Sequence, residues 1–164
     1  MNTVVCYIAL GSNMNNPLMQ INSAIQVIQT RAEITLKDQS SLYQTKPLGN
    51  MPQADYINAV IAIETHLSPS QLLDVLLEIE LLHGRKRDAT QWQARTLDLD
   101  ILLYGDLCYH SERLTIPHYG IKDRAFVLVP LNELAPDLKL PDGTSVQQCL
   151  SDLSISGVEK IHAI

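Results

Sequence analysis

Two aspartates, Asp98 and Asp100, interrupt an apolar run that opens on an arginine, Arg95-Thr96-Leu97-Asp98-Leu99-Asp100-Ile101-Leu102-Leu103-Tyr104. A strand alternates its side chains between two faces, so Leu97, Leu99, Ile101 and Leu103 can point together into a core while both carboxylates leave the opposite face. Two carboxylates in one small volume repel each other unless a cation lies between them. Mg²⁺ is the ordinary cellular partner for paired oxygen ligands beside a phosphate. The same spacing also describes a strand with one solvated face, and the pair alone does not decide between the two. The surroundings bear on the choice. Arg85, Arg87 and the only tryptophan, Trp92, lie in a polar loop that leads directly into Arg95, and Arg113, His118 and Arg124 follow the strand. Guanidinium groups suit bidentate contact with phosphate oxygens. Neither Gly-x-x-x-x-Gly-Lys-Ser/Thr nor Gly-x-Gly-x-x-Gly occurs, so any phosphate would be held by these side chains rather than by a glycine-rich backbone cradle.

The chain that must position these residues has 164 residues, 46% of them hydrophobic, which is enough for one domain, 1–164, with a substantial core. Its formal net charge of -6 argues against a binder of nucleic-acid backbones, which usually carries a basic face. Cys6, Cys108 and Cys149 form an odd set without Cys-x-x-Cys spacing, the usage of reduced packing thiols in the cytoplasm. No secretory leader pattern opens the chain, and no apolar run approaches the ~20 residues that span a bilayer. A cytoplasmic monomer with neither nucleic acid nor membrane as partner is expected.

Thr3 to Leu10 reads as a buried strand ended by the turn residues Gly11-Ser12-Asn13. Asn16 then offers a helix N-cap with Pro17 at the first position, and Leu18, Ile21, Ile25 and Ile28 recur at helical spacing. Glu33 to Thr45 is weakly strand-like, and the prolines of the segment from Lys46 to Pro52 make it a loop. Tyr56 to Thr65 is a clearer strand, with Ile57, Ala59, Ile61 and Ile63 on one face and Tyr56, Asn58, Val60, Ala62 and Glu64 on the other. Asn58 can satisfy backbone groups or read the polar edge of a ligand. Ser68-Pro69-Ser70-Gln71 is a capping box for a second helix whose stripe, Leu72, Leu76 and Ile79, runs toward Gly84. Phe126 to Leu131 is an apolar run closed by Pro130, and a short helix is expected from about Ser145. The core order of strand, helix, strand, strand, helix, strand predicts an α+β, ferredoxin-like split βαβ fold with a C-terminal extension and both helices on one face of an antiparallel sheet.

These residues resemble a known family, the 6-hydroxymethyl-7,8-dihydropterin pyrophosphokinases of folate biosynthesis. The resemblance runs through Ala9-Leu10-Gly11-Ser12-Asn13, Tyr56-Ile57-Asn58-Ala59, Glu80 with Gly84-Arg85, Arg95-Thr96-Leu97-Asp98-Leu99-Asp100, and Pro117-His118-Tyr119 followed by Arg124, Phe126, Pro130 and Leu131. It implies transfer of the β,γ-pyrophosphoryl group of ATP to the pterin hydroxymethyl oxygen, leaving AMP, with two Mg²⁺ ions held by Asp98 and Asp100. By position, Arg85 and Arg95 resemble catalytic arginines on the triphosphate. Arg87, Trp92, His118 and Tyr119 resemble further ATP contacts, and Glu80, Ile101, Arg113 and Thr115 the nucleoside pocket. Thr45, Leu48, Tyr56, Asn58, Arg124 and Phe126 resemble the pterin site, with the rings of Tyr56 and Phe126 on either side of the heterocycle. The resemblance further implies that the loops 46–53 and 85–94 close over the substrates. Gln91 and Gln93 stand where the family often has a basic residue and a glycine, and Lys46 where a proline is frequent. Two other readings compete. A regulatory domain on the same scaffold leaves the carboxylates and arginines without a purpose, and a Mg²⁺-dependent phosphohydrolase leaves Tyr56, Asn58 and Phe126 idle.

Overall fold

The structure, a computed structural model, describes residues 2–46, 55–84 and 96–161. In chain order the first elements are β1 (Val4–Ser12), α1 (Pro17–Thr30), β2 (Ile34–Gln39), β3 (Tyr43–Thr45), β4 (Tyr56–Thr65), α2 (Pro69–Leu82) and β5 (Asp98–Tyr104). They are followed by β6 (Tyr109–His110), β7 (Thr115–Ile116), α3 (Ala125–Leu134), α4 (Val146–Ser151) and β8 (Val158–Lys160). β1 is central, antiparallel to β4 on one side and to β5 on the other. β2 and β3 run in succession along the far side of β4, and β8 pairs with β3 at that edge. This order, with α1 and α2 as the two crossovers, is the expected ferredoxin-like arrangement.

Both crossover helices form for the reasons legible in their residues. The Asn16 side chain accepts the Met19 N–H, Pro17 occupies the first turn, and Ile21, Ala24, Ile25 and Ile28 are buried. Leu18, at the rim of that stripe in the first turn, is instead 42% exposed. In α2 the Ser68–Gln71 capping box is complete, and Leu72, Val75, Leu76 and Ile79 are buried. With Cys6, Ile8 and Leu10 of β1 and Ile57, Ala59, Ile61 and Ile63 of β4, these side chains make one core between the helices and the sheet. His83 ties the helices together, its Nε2 lying 3.0 Å from Ser23 Oγ and its Nδ1 2.8 Å from the Ile79 carbonyl oxygen.

Three expectations change. β1 does not end at Leu10: Gly11 and Ser12 continue it, because β4 and β5 both supply partners for Gly11 and β4 one for Ser12. Leu103 does not join Leu97, Leu99 and Ile101. A bulge places Leu102 as an extra residue on β5, between the Ile8↔Ile101 and Tyr7↔Leu103 pairs, which reverses the alternation beyond it. Leu102 and Leu103 therefore pack on the opposite face, and Tyr104 returns to the first core. Third, the Phe126–Leu131 run is part of helix α3 with Pro130 inside it. A proline in a helix interior costs about 3 kcal/mol. Burying Val127, Leu128 and Leu131 contributes about 1.5–3 kcal/mol each, so packing prevails.

α3 and α4 thus form a second helical layer over Val60, Leu102 and Leu103, with Val146 and Cys149 of α4 in the same cluster. The thiols divide accordingly. Cys6 and Cys149 are buried, with Cys6 pushed up to about 12 by burial, but Cys108 is exposed and is not a packing residue. A polar clasp holds α3 to the sheet edge. Glu133 accepts hydrogen bonds from the Ser41 N–H at 3.0 Å, the Ser41 hydroxyl at 2.7 Å and the Tyr43 hydroxyl at 2.7 Å, and Lys160 of β8 lies 3.6 Å away. Burial opposes ionisation of Glu133, but those donors and the Lys160 charge outweigh it and hold its pKa below the ordinary 4.5. The resulting stabilisation is fully present above pH 4.5 and is lost as pH falls through the folded-state value. Glu133→Gln is expected to lower stability by about 1–3 kcal/mol at pH 7, with the difference from the parent shrinking in denaturant titrations below pH 4.5. A difference independent of pH would refute the clasp.

Candidate active site

Beyond the N-terminal end of α3 the second face of the sheet opens as a cleft of about 280 Å³. Its floor follows from the strand register. Asp98 of β5 stands opposite Gly11 of β1, which stands opposite Asn58 of β4, so the three form one row across the sheet. With adjacent strands about 4.8 Å apart, the carboxylate and the amide rise from backbones about 10 Å apart. Small residues keep the floor low between them. Ala9 pairs with Asp100, and a Cβ on Gly11 would meet Asn58 Oδ1 at 3.1 Å and the Tyr56 ring at 3.7 Å. A glycine within a strand marks such a close approach.

At one end of the row Asn58, nearly fully buried, donates from Nδ2 to Thr45 Oγ1 at 2.6 Å. Tyr56, the strand partner of Thr45, adds an aromatic wall, and Phe126 at the start of α3 also lines the cleft. At the other end Asp98 and Asp100 line the cleft with half-exposed side chains, that of Asp100 being 48% accessible. They sit on the face opposite Leu99 and Ile101, as strand alternation requires. Hydrated Mg²⁺ uses one or two carboxylates together with water and phosphate oxygens rather than a cage of protein ligands. A pair of accessible carboxylates fits that preference. Among the described residues no cluster of three or more His, Cys, Asp or Glu suited to a metal occurs.

The far wall is a stack. The His118 N–H donates to the Leu102 carbonyl at 3.0 Å, which fixes the residue against β5, and His118 Nδ1 accepts the Gly120 N–H at 3.0 Å. A neutral ring with that acceptor carries its proton on Nε2, 4.0 Å from Asp100 Oδ2. Burial, and then the positive charge of Arg124, lowers the His118 pKa to about 4, so the ring is neutral at pH 7. Tyr119 stacks on His118 with centroids 4.5 Å apart. The Arg124 guanidinium lies 5.1 Å from the Tyr119 ring centroid and 5.9 Å from that of Phe126, and its Nη2 donates to the Tyr119 hydroxyl at 3.2 Å.

Of the residues singled out in the sequence, Thr45, Tyr56, Asn58, Asp98, Asp100, His118, Tyr119, Arg124 and Phe126 line this one cleft. Glu80, Ile101, Arg113 and Thr115 do not. Glu80 is buried, its Oε2 accepting the Leu99 N–H at 2.8 Å. Ile101 is in the core beneath α1 and α2. Arg113 is ion-paired with Asp74 and donates to Ser70 Oγ at 3.2 Å, both on α2. Thr115 Oγ1 lies 3.0 Å from His110 Nδ1. Leu48, Arg85, Arg87, Trp92 and Arg95, with Gln91 and Gln93, lie outside the described residues, as does nearly all of the two loops expected to close. Lys46, the family departure that is described, lines the cleft. The sequence reading missed Gly11 as a floor residue and Gly120 as a partner of His118. The role of each is tertiary, since Gly11 reads as the turn that closes the apolar run and its place opposite Asn58 and Asp98 comes from the sheet register.

Comparison with known proteins bears on the family and the fold. The family described as 7,8-dihydro-6-hydroxymethylpterin-pyrophosphokinase (HPPK) matches residues 7–136. A 2-amino-4-hydroxy-6-hydroxymethyldihydropteridine pyrophosphokinase of Haemophilus influenzae is 48% identical over 159 residues, 97% of this chain and 99% of that relative. The protein of the same name from Pseudomonas aeruginosa is 46% identical over 94% of this chain and 95% of its own length. Among solved structures, an HPPK-DHPS in complex with substrates superposes with a TM-score of 0.77 at 11% identity, and a Plasmodium falciparum HPPK-DHPS with pteroate with 0.78 at 14%. The chain covers 47% and 45% of those two longer chains, and at such identities the likeness speaks for the fold. On the length and identity of these matches, the chain belongs to the 7,8-dihydro-6-hydroxymethylpterin-pyrophosphokinase family.

Proposed function

We propose that this chain transfers the pyrophosphoryl group of ATP to the hydroxymethyl oxygen of 6-hydroxymethyl-7,8-dihydropterin, giving AMP and the pterin diphosphate. The observation that carries the reading is one cleft lined by an amide, two aromatic rings and two accessible carboxylates, with Asn58 and Asp98 in one row across the sheet. A flat heterocycle with a polar edge is held by stacking and a few hydrogen bonds. Tyr56 and Phe126 supply the faces, Asn58 and Thr45 the edge contacts, and Arg124, with Leu48, completes the pterin site. The low floor at Gly11 lets the ring sit close to the sheet. Its hydroxymethyl arm then points along the row toward Asp98.

Asp98 and Asp100 are the residues that would hold two Mg²⁺ ions. When bound, the metal supplies charge neutralisation on the phosphate oxygens and orients the attacking hydroxyl. Neutral His118 presents Nε2–H on the Asp100 side of the cleft, where it can donate to a phosphate oxygen, and Tyr119 extends that wall. Arg85 and Arg95 are assigned to the triphosphate, where they would steady charge as the bond to AMP breaks, and Arg87 and Trp92 to further ATP contacts. Glu80, Ile101, Arg113 and Thr115 are the nucleoside side, along β5 between α2 and the β6–β7 hairpin, which is supported by Glu80 on the Leu99 backbone and Arg113 on Asp74. An exposed pair such as Arg113–Asp74 contributes at most about 1 kcal/mol, so it yields to a ligand at little cost. The protein acts as a cytoplasmic monomer on small molecules, without nucleic acid or membrane. The acidic charge bears on the nucleic-acid part of that reading, since binders of nucleic-acid backbones usually carry a basic face, and among the described residues no helix is long and apolar enough to cross a membrane.

Incubation with ATP, Mg²⁺ and the hydroxymethyl dihydropterin is expected to yield AMP and a pyrophosphorylated pterin by mass spectrometry. ADP, or phosphate released without a change in the pterin, would overturn the assignment in favour of a kinase or phosphohydrolase. Asp98→Asn and Asp100→Asn are each expected to lower kcat by about a thousandfold or more while leaving the thermal midpoint close to that of the parent, since both side chains face the cleft. Near-normal turnover in either variant would remove that residue from the metal site. Phe126→Ala is expected to raise the Kd for the pterin by about tenfold with little change for a non-hydrolysable ATP analogue. Equal losses for both ligands would place the ring outside the heterocycle pocket.

A further inference from the structure

Arg124 reaches the cleft wall by crossing the backbone of Gly120. An ideal Cβ built on Gly120 would stand 2.5 Å from Arg124 Nε and 2.9 Å from Cζ, closer than real Cβ atoms approach, and 3.0 Å from Cδ, tighter than most. The backbone at Gly120 is not left-handed, unlike that at Gly84, Gly105, Gly143 and Gly157. Its lack of a side chain is therefore used for space and not for conformation. The same guanidinium contacts the rings of Tyr119 and Phe126 and donates to the Tyr119 hydroxyl. Tyr119 is 74% exposed, so burial does little to fix it. It is held by contacts with His118 and Arg124. Phe126, Arg124, Tyr119 and His118 form one continuous series of contacts, and its arginine rests on a glycine.

We infer that Gly120 is a positioning residue for heterocycle binding, the absent side chain seating the Arg124 guanidinium between Tyr119 and Phe126 at the cleft wall. The inference rests on Arg124 and Phe126 forming part of the pterin site. It deepens that reading by assigning to a residue that does not itself line the cleft a share of the affinity for a flat, electron-rich ring. A methyl group at position 120 displaces only the far part of a flexible side chain, so the fold survives the change. The Gly120 N–H and its hydrogen bond to His118 are retained as well. The three atoms nearest to such a methyl group all belong to Arg124.

The test is a double-mutant cycle read by calorimetric titration of the hydroxymethyl pterin into the parent, Gly120→Ala, Arg124→Ala and the double variant. Gly120→Ala is expected to raise the Kd about three- to tenfold in the parent background and by less than about twofold when Arg124 is already alanine. The thermal midpoint is expected to stay near the parental value. As a second readout, the Arg124 Nε–Hε proton, shielded by the flanking rings in the parent, shifts downfield in Gly120→Ala. Equal weakening in both backgrounds overturns the inference, as does an unchanged Kd for Gly120→Ala while Arg124→Ala weakens binding. If Arg124→Ala itself binds the pterin as tightly as the parent, the assignment of Arg124 to the pterin site fails, and the role of Gly120 falls with it. Failure of the parent to bind the pterin at all would instead overturn the proposed function.

Discussion

The register of three antiparallel strands is the constraint on which the rest depends. β1 pairs with β4 and β5 so that Asp98, Gly11 and Asn58 share a row, and side-chain alternation sends all three positions to the face away from α1 and α2. A slip of one residue would exchange faces and put carboxylates among Ile8, Leu10 and Ile79. The core under α1 and α2 therefore selects the register. The same residues that stabilise the domain set the separation between amide and carboxylate, and stability and site geometry cannot vary independently along these strands.

The bulge at Leu102 uses that constraint a second time. Before it, β5 presents Asp98 and Asp100 to the cleft; after it, Leu102 and Leu103 both serve the second core beneath α3. One extra residue thus converts a strand from site lining to helix support within a few positions. The Leu102 carbonyl remains available at the outer edge of β5 and accepts the His118 N–H, anchoring the wall of the cleft to the strand that carries the carboxylates. α3 is held in turn at its other end by Glu133 on Ser41 and Tyr43. The helix that brings Phe126 to the cleft is braced by the strand segment that leads to Thr45.

Charge follows the same geography. The chain is acidic overall, yet the cleft pairs its two carboxylates with a wall that carries Arg124 and a histidine kept neutral by burial and by that arginine. A neutral imidazole with its proton on Nε2 can donate to an anionic ligand without adding a charge to be desolvated. The planar guanidinium lies against two aromatic rings, which hold it at the wall of the cleft.

Local chemistry was legible in the sequence wherever it acts over a few residues. The Asn16 and Ser68 caps, the stripe of α2, the alternation of β4 and the Asp98–Asp100 spacing each depend on helix or strand geometry within one element, and each forms as its residues direct. The strand and helix order then sufficed for the ferredoxin-like arrangement, and motif resemblance for the family. Features that depend on a second element were hidden. The extension of β1 through Gly11 and Ser12 needed the strands on either side, α3 needed a buried face to outweigh Pro130, and the contact of Gly120 with Arg124 needed a turn that folds one over the other. The separation of Glu80, Arg113 and Thr115 from the cleft is likewise tertiary, because position in a motif says nothing about which side of β5 a residue occupies. Periodicity fixes which face of an element a side chain leaves, while the packing of faces against one another decides what that side chain meets.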